Sequence, residues 1–98
     1  MRPRRAAIDG TYTTRVDILD EQARFITSAN CEISVQGGSW SGTLTGIEPN
    51  AHLGSGRYRL RTRDGAEAEV AVRGRQRVGS EERYPFTGVG PPAAFGGS

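Results

Sequence analysis

Glycine-centred turns between runs of alternating apolar and polar residues restrict this chain to an antiparallel β fold. From residue 25 to residue 36, the odd-numbered positions are apolar or small and the even-numbered positions are mostly polar. Such alternation indicates a strand with one buried face. Gly37-Gly38 follows and supplies the positive φ angles that a two-residue hairpin turn needs. The turn predicts that Val35 lies across from Trp40, a register that keeps apolar residues together.

A second hairpin is predicted around a three-residue loop of Arg63, Asp64 and Gly65, with Gly65 in the left-handed conformation. This register pairs apolar residues on one face and opposite charges on the other. The predicted inward pairs are Tyr58 with Val70 and Leu60 with Ala68, and the predicted outward pairs are Arg59 with Glu69 and Arg61 with Glu67. A two-residue loop would place Leu60 opposite Glu69, so the three-residue loop is favoured.

Two further strands are predicted on either side of these hairpins. Alternation from Gly10 to Ile18 indicates a first strand, and a loop at Asp20–Ala23 then places Ile18 across from Phe25. Residues 83–89 are predicted as a last strand. Pro85 confines that strand to a sheet edge, because proline has no backbone N–H to give to a neighbour.

About six strands and no convincing helix predict an all-β fold, either a small antiparallel β-barrel or a rolled β-sheet. The 98 residues fit one domain. We divide the chain into a flexible basic arm over residues 1–9, a β domain over residues 10–89 and a disordered Gly/Pro-rich tail over residues 90–98. The predicted core consists of Ile33, Val35, Trp40, Leu44, Tyr58, Leu60, Val70 and Val72.

Composition bears on location and partners. Cys31 is the only cysteine, so no disulfide can form within the chain, and a cytoplasmic location is expected. No apolar run approaches the ~18 residues that suggest a membrane span, so we expect no membrane contact. All 13 basic residues are arginine. One explanation of this bias is a GC-rich bacterial genome, which favours arginine codons whatever the function. The alternative is selection for arginine side chains that recognise phosphates or carboxylates.

The residue types give no support for an enzyme, a metal site or a cofactor. His52 is the only histidine and falls in a loop, whereas Cys31 is on the predicted inward face, so no thiol–imidazole pair is expected. One cysteine and one histidine are too few for a zinc site. The glycine-rich turns lack the spacing of a phosphate-binding loop. We therefore predict no catalytic residue, no metal ligand and no cofactor.

Alternating arginines give the chain its main charged surface. Arg57, Arg59, Arg61 and Arg63 share one face of a predicted strand, and Arg73, Arg75 and Arg77 also alternate. A basic β surface suits contacts with phosphates. Glu67 and Glu69 are expected to neutralise Arg61 and Arg59. The arginines without an evident acidic partner are the candidate ligand or partner contacts: Arg57, Arg73, Arg75 and Arg77.

The second predicted strand carries a resemblance to a known family. Glu32-Ile33-Ser34-Val35-Gln36-Gly37 is similar to the [DN]-x-S-x-x-G element of PilZ domains, small β-barrels that bind cyclic diguanylate. The resemblance implies a barrel that binds a cyclic nucleotide. The chain departs from the family pattern in two respects: Glu32 stands where the family has Asp or Asn, and no Arg-x-x-x-Arg precedes the element.

These observations predict a non-enzymatic binding or interaction module that acts on another protein. Binding of nucleic acid or of a nucleotide through the arginine-rich face, including the role of a degenerate PilZ-like barrel, is the alternative. Self-association is a further possibility. The sequence does not identify the ligand.

Overall fold

In the computed structural model the chain forms seven β-strands. The structure describes residues 10–48, 51, 53–63 and 65–90. The predicted arm over residues 1–9, the predicted tail beyond Gly90, and His52 lie outside these ranges, and the described residues contain no helix. The strands are β1 (Gly10–Leu19), β2 (Phe25–Gln36), β3 (Ser39–Thr45), β4 (Gly56–Thr62), β5 (Glu67–Val72), β6 (Gln76–Val78) and β7 (Glu81–Val89).

The strands close into an antiparallel barrel. The order in the sheet is β3-β2-β1-β4-β5-β7-β6, and an additional pairing of β3 with β7 joins the two sides. Six strands therefore form the ring, and β6 is an extra strand beside the start of β7. The predicted all-β fold is confirmed, and the closed barrel is the form that it takes.

Both glycine-centred hairpins have their predicted registers. Val35 pairs with Trp40 across the turn at Gly37 and Gly38, whose φ angles are +57° and +88°. In the second hairpin Leu60 pairs with Ala68, while Arg59 and Arg61 lie opposite Glu69 and Glu67. Gly65 has a φ of +94°, as the three-residue loop requires. In each case turn chemistry and alternation select the same register.

The hairpin of β1 and β2 differs from its prediction. Ile18 pairs with Thr27 and not with Phe25, so the register is shifted by two residues. A shift of two leaves each side chain on its predicted face, which is why alternation alone could not detect it. Ile26 has no partner between the pairs Ile18–Thr27 and Leu19–Phe25, which makes it a β-bulge. Beyond the bulge Phe25 faces solvent and is 60% exposed.

The turn before β2, which the Asp20 side chain stabilises, accounts for one residue of this shift, and the bulge at Ile26 accounts for the other. The carboxylate Oδ1 of Asp20 accepts hydrogen bonds from the backbone N–H groups of Gln22 and Arg24, each at 2.9 Å. These bonds lower the pKa of Asp20 below its ordinary value, with the bond from Arg24 having the largest effect. The backbone N–H of Asp20 also donates to the carbonyl of Arg24 at 2.9 Å. The turn therefore includes Arg24, one residue more than predicted.

Pro85 lies inside the barrel wall, and the prediction of an edge strand is wrong. β7 pairs with β3 on one side and with β5 and then β6 on the other. The carbonyl of Pro85 accepts a hydrogen bond from Arg73 N at 3.0 Å. The nitrogen and carbonyl of one strand residue point to the same side. The missing N–H therefore falls in the gap between Val72 and Gln76, where no strand partner requires it.

The core fills the barrel around Trp40. The indole lies over Gly88, its Nε1 donates to the carbonyl of Gly90 at 3.0 Å, and its ring meets Phe86 edge-on at 6.0 Å between centroids. Of the predicted core residues, all are buried except Tyr58, which is half-buried and donates its hydroxyl to the carbonyl of Gly54. The other buried residues are Val16, Ile18, Leu19, Thr27, Ala29, Cys31, Leu53, Tyr84 and Phe86.

Candidate binding surface

The arginines on β4 are paired with carboxylates, and only Arg61 is paired with its direct cross-strand neighbours. Arg57 reaches Glu69 at 3.3 Å and Arg59 reaches Glu67 at 3.4 Å, one pair diagonal to the register. Arg61 lies 3.7 Å from Asp17 on β1 and 4.0 Å from Glu67 on β5, both direct cross-strand neighbours, so the predicted pairing of Arg61 with Glu67 is confirmed. Twist between neighbouring strands brings such diagonal side chains within reach of each other. The expectation that Arg57 lacks an acidic partner is therefore wrong.

The arginines near β6 share one carboxylate. Arg77 lies 3.1 Å and Arg75 lies 3.6 Å from Oε2 of Glu82 on β7. Glu82 is the direct cross-strand neighbour of Arg77. The expectation that these two arginines lack an acidic partner is also wrong, because β6 had not been predicted as a strand beside β7.

These ion pairs weaken the case for a phosphate-binding arginine face. Each pair is solvent-exposed, so each contributes only about 0–1 kcal/mol to folding. The ion pairs matter more for phosphate binding than for folding, because a phosphate must compete with a carboxylate that already contacts the guanidinium. Nucleic-acid binding through this face would require those pairs to open.

Arg73 differs from the other candidate arginines. Its backbone follows β5 and is held by the hydrogen bond to Pro85, while its side chain is exposed. Of the four candidates, it alone makes no ion pair within the described part of the chain. Arg73 lines an open groove on the outer face of the barrel.

Hydroxyl groups form the floor of this groove. Thr11, Ser34, Ser41 and Thr87 are successive cross-strand partners on β1, β2, β3 and β7. The groove has a cavity volume of about 660 Å³. Hydroxyls both donate and accept hydrogen bonds, so the floor can match the polar groups of a ligand in either sense.

A second row of cross-strand partners lies beside the hydroxyl floor and has opposite charges at its two ends. Glu32 pairs with Thr43, Thr43 pairs with Pro85, and Pro85 is bonded to Arg73. At about 4.8 Å per strand, the backbones of Glu32 and Arg73 are roughly 14 Å apart. Glu32 is exposed and, like Arg73, forms no ion pair with any described residue. We call this surface, with its hydroxyl floor and charged ends, the Glu32–Arg73 groove.

The PilZ-like element contributes two residues to the groove. Glu32 and Ser34 both point outward from β2 and line it, whereas Gly37 lies in the hairpin turn beyond. A smaller groove of about 190 Å³ continues from Glu32 toward Glu81 and Arg83. Sequence reasoning identified Arg73 and this element separately. The predicted hairpin register already placed residues 32, 34, 41 and 43 on one outward face, but it contained no signal that brings Arg73 beside them.

Of the two residues weighed for catalysis, the structure describes Cys31. Cys31 is buried, and burial raises the pKa of its thiol from about 9.0 to about 12, with a smaller contribution from the charge of Glu32. A thiol with this pKa remains protonated and unreactive at neutral pH. His52 is outside the described residues. No cluster of His, Cys, Asp and Glu in the described ranges could hold a metal ion.

Comparison with known proteins gives no match to a family model, to a curated protein or to a solved structure. Within the described residues there is also no helix long and apolar enough to cross a membrane.

Proposed function

We propose that the chain is a non-enzymatic binding module and that the Glu32–Arg73 groove is where another protein docks. The observation that carries this proposal is a polar groove with opposite charges at its two ends, Glu32 and Arg73, neither of which forms an ion pair with a described residue. Small-molecule sites are mostly apolar and enclosed. This groove is polar and open, which suits a segment of polypeptide better.

The distance of roughly 14 Å between the backbones of Glu32 and Arg73 sets the approximate length of the segment that would fit. An extended polypeptide covers roughly 14 Å with about four residues. The segment would carry a carboxylate at the Arg73 end, since a guanidinium binds carboxylates in a bidentate manner. A basic side chain would stand about four residues away, beside Glu32. The hydroxyl floor would bond the polar groups in between. A cytoplasmic location is part of this proposal, because the lone Cys31 thiol stays reduced there.

Site-specific photo-crosslinking in the native host tests the proposal. A photoreactive amino acid at Ser41, on the groove floor, is expected to give a covalent adduct with a partner protein. The same amino acid at Arg63, in the exposed turn between β4 and β5, is the matched control and should not give that adduct. Reversing the charge with Arg73→Glu should abolish the Ser41 adduct. An adduct that persists in Arg73→Glu, or that forms equally from position 63, would contradict docking in the groove.

A second candidate function is nucleotide binding in the same groove. The observation that favours it is the position of Glu32 and Ser34, which come from the PilZ-like element and lie in one groove with Arg73. The carboxylate can accept from the N–H edge of a base, and the guanidinium can bind a phosphate. The span between them suits a dinucleotide better than a mononucleotide.

Isothermal titration calorimetry with cyclic diguanylate separates the two candidates. Saturable binding that Arg73→Ala removes and Arg57→Ala retains would establish the nucleotide. Arg57 is a fair control because its charge is the same and it is paired with Glu69 on β5. No heat of binding at millimolar ligand would reject this candidate and leave the protein partner.

A further inference from the structure

β1 is covered on one side along its whole length and on the other side only in part. β2 pairs with every residue from Gly10 to Leu19, apart from the irregularity at the bulge. β4 pairs with β1 only from Val16 to Leu19. Over residues 10–15, no strand formed by the described residues adjoins the second side of β1. We call this side of residues 10–15 the β1 edge.

The hydrogen bonds of β4 show which backbone groups face this edge. Thr62 N donates to the carbonyl of Ala66, and the carbonyl of Thr62 accepts from Gly65, so the backbone of Thr62 faces β5. Backbone direction alternates along a strand, so Arg61 faces β1 and bonds to its partner Asp17. The backbone of Asp17 therefore points to the side of β1 on which β4 lies.

The same alternation continues up β1 beyond the end of β4. Arg15, Thr13 and Thr11 direct their N–H and C=O groups to the β1 edge, whereas Tyr12 and Thr14 direct theirs to β2. Unpaired backbone groups in a row form a template for another strand. The edge lacks the usual guards against such pairing, since it contains no proline, no lysine and no bulge. Arg15, the one charged residue, extends toward β2 and donates to Asn30 at 3.0 Å.

We propose that a second copy of this chain pairs with the β1 edge, antiparallel, about a two-fold axis at Thr13. In this register Thr13 lies opposite Thr13 of the second copy, and Thr11 lies opposite Arg15 of the second copy. Every N–H and C=O that faces the edge then has a partner. Tyr12 lies opposite Thr14 of the second copy, an aromatic and β-branched pair of the kind that stabilises sheets.

Charge and symmetry favour a second copy as the occupant. The register is self-complementary, so one surface supplies both halves of the contact. The two Arg15 residues lie two positions on either side of the axis, about 14 Å apart along the strands. This separation exceeds the screening length of roughly 8–10 Å at physiological salt, so their repulsion is small. Thr11 also belongs to the groove floor, but its backbone and not its side chain faces the second copy, so the inference holds whichever ligand the groove binds.

Sedimentation equilibrium of the full chain over a wide concentration range tests the proposal. The wild type is expected to dimerise, and Thr13→Pro to be monomeric, because proline removes an N–H at the axis. That N–H bonds to no residue of the described ranges, so Thr13→Pro should keep the wild-type far-UV circular dichroism. Thr13→Ala is the matched control: it keeps the backbone N–H and should still dimerise.

A charge pair at the axis tests the register itself. Thr13→Lys and Thr13→Glu each place two like charges opposite each other, and each should weaken the dimer about two- to fivefold. Mixed together, they should form a heterodimer of at least wild-type strength, which native mass spectrometry would identify. Both side chains project from an exposed position. Because Thr13 lies opposite Glu32 of the same chain, Thr13→Glu should also destabilise the monomer slightly, so the free energy of unfolding of each variant is measured alongside.

Amide hydrogen exchange gives a readout for each residue. In the dimer the amides of Thr11, Thr13 and Arg15 should be protected, and they should exchange rapidly in the Thr13→Ala protein diluted to monomer. Tyr12 and Thr14 amides should stay protected in both. A wild type that is monomeric at all concentrations would overturn the proposal. A dimer unaffected by Thr13→Pro would do the same, and so would dimerisation that requires deletion of residues 91–98, since that segment would then be the occupant.

Discussion

Adding one methyl group at Gly88 should disrupt the packing of Trp40. A Cβ built on Gly88 would fall among the ring atoms Cε2, Nε1 and Cδ2 of Trp40. The φ of Gly88 is not in the left-handed range, so alanine suits the backbone and the effect comes from the ring alone. The ring has little room to yield, because Phe86 meets it edge-on and its Nε1 donates to Gly90 at 3.0 Å.

The expected cost follows from these two contacts. Forcing extra volume into a packed core costs about 1–3 kcal/mol. Displacing the indole also breaks its hydrogen bond, at about 1 kcal/mol. Gly88→Ala should therefore lower the free energy of unfolding by about 2–4 kcal/mol, a large share of a typical total of about 5–15 kcal/mol. For a domain of this size, the loss corresponds to a melting temperature lower by roughly 8–30 °C.

Urea unfolding followed by far-UV circular dichroism measures this loss. Gly88→Ala is measured both in the wild-type protein and in a Trp40→Leu background. Because Trp40→Leu removes the fluorophore, tryptophan fluorescence cannot follow unfolding in both. In that background Gly88→Ala should cost under about 0.5 kcal/mol, since the clashing ring is gone. Gly54→Ala is the control, because its added Cβ has no atom within 4 Å. An equal cost of Gly88→Ala in both backgrounds would refute the reasoning.

Burial of Cys31 makes its thiol unreactive in the native protein, so a thiol reagent at pH 8 should label it only after denaturation. Because the pKa of the Cys31 thiol is raised to about 12, its contribution to stability should be fully present below about pH 9 and should be lost as the pH rises toward 12. The lowered pKa of Asp20 has the opposite consequence: its contribution is present above pH 3.8 and is lost as the pH falls further. Asp20→Asn should remove this acid dependence, which urea titrations at pH 5 and below would show. Glu82→Gln frees Arg75 and Arg77 and should strengthen oligonucleotide binding at low salt, whereas binding unchanged by this variant would mean that the ion pairs do not limit phosphate contact.

The sequence was sufficient for those parts of the fold where turn chemistry and alternation agree. Gly37-Gly38 and Gly65 determine two turns, and the flanking alternation determines two registers, so the pairing of Val35 with Trp40 could be predicted. The length of the turn at Asp20 could not be predicted, because it depends on how one carboxylate bonds to the backbone. Alternation permits either register there, since a shift of two residues exposes the same side chains.

The sequence predicted the binding surface less completely than it predicted the fold. Arg73 was predicted as a contact residue, but so were three arginines that the structure pairs with carboxylates. Those pairings depend on diagonal reach and on a short strand, β6, with no strong pattern of its own. The Glu32–Arg73 groove spans several strands that are distant in sequence. It becomes visible only when β7 is placed beside β3, and Pro85 argued against that placement.

The position of β7 has a consequence for how the barrel forms during synthesis. β1, β2 and β3 pair in chain order, and β4 pairs with β5, so each set can form soon after it is made. β7 is the strand that joins β5 to β3, and it brings Tyr84 and Phe86 to the core. Until it emerges from the ribosome, the apolar faces of both sets stay open to water and to chaperones. A chain ended at residue 80 should accordingly bind a hydrophobic dye and be degraded rapidly. A folded, protease-resistant product of that length would show that closing the ring is not needed for folding.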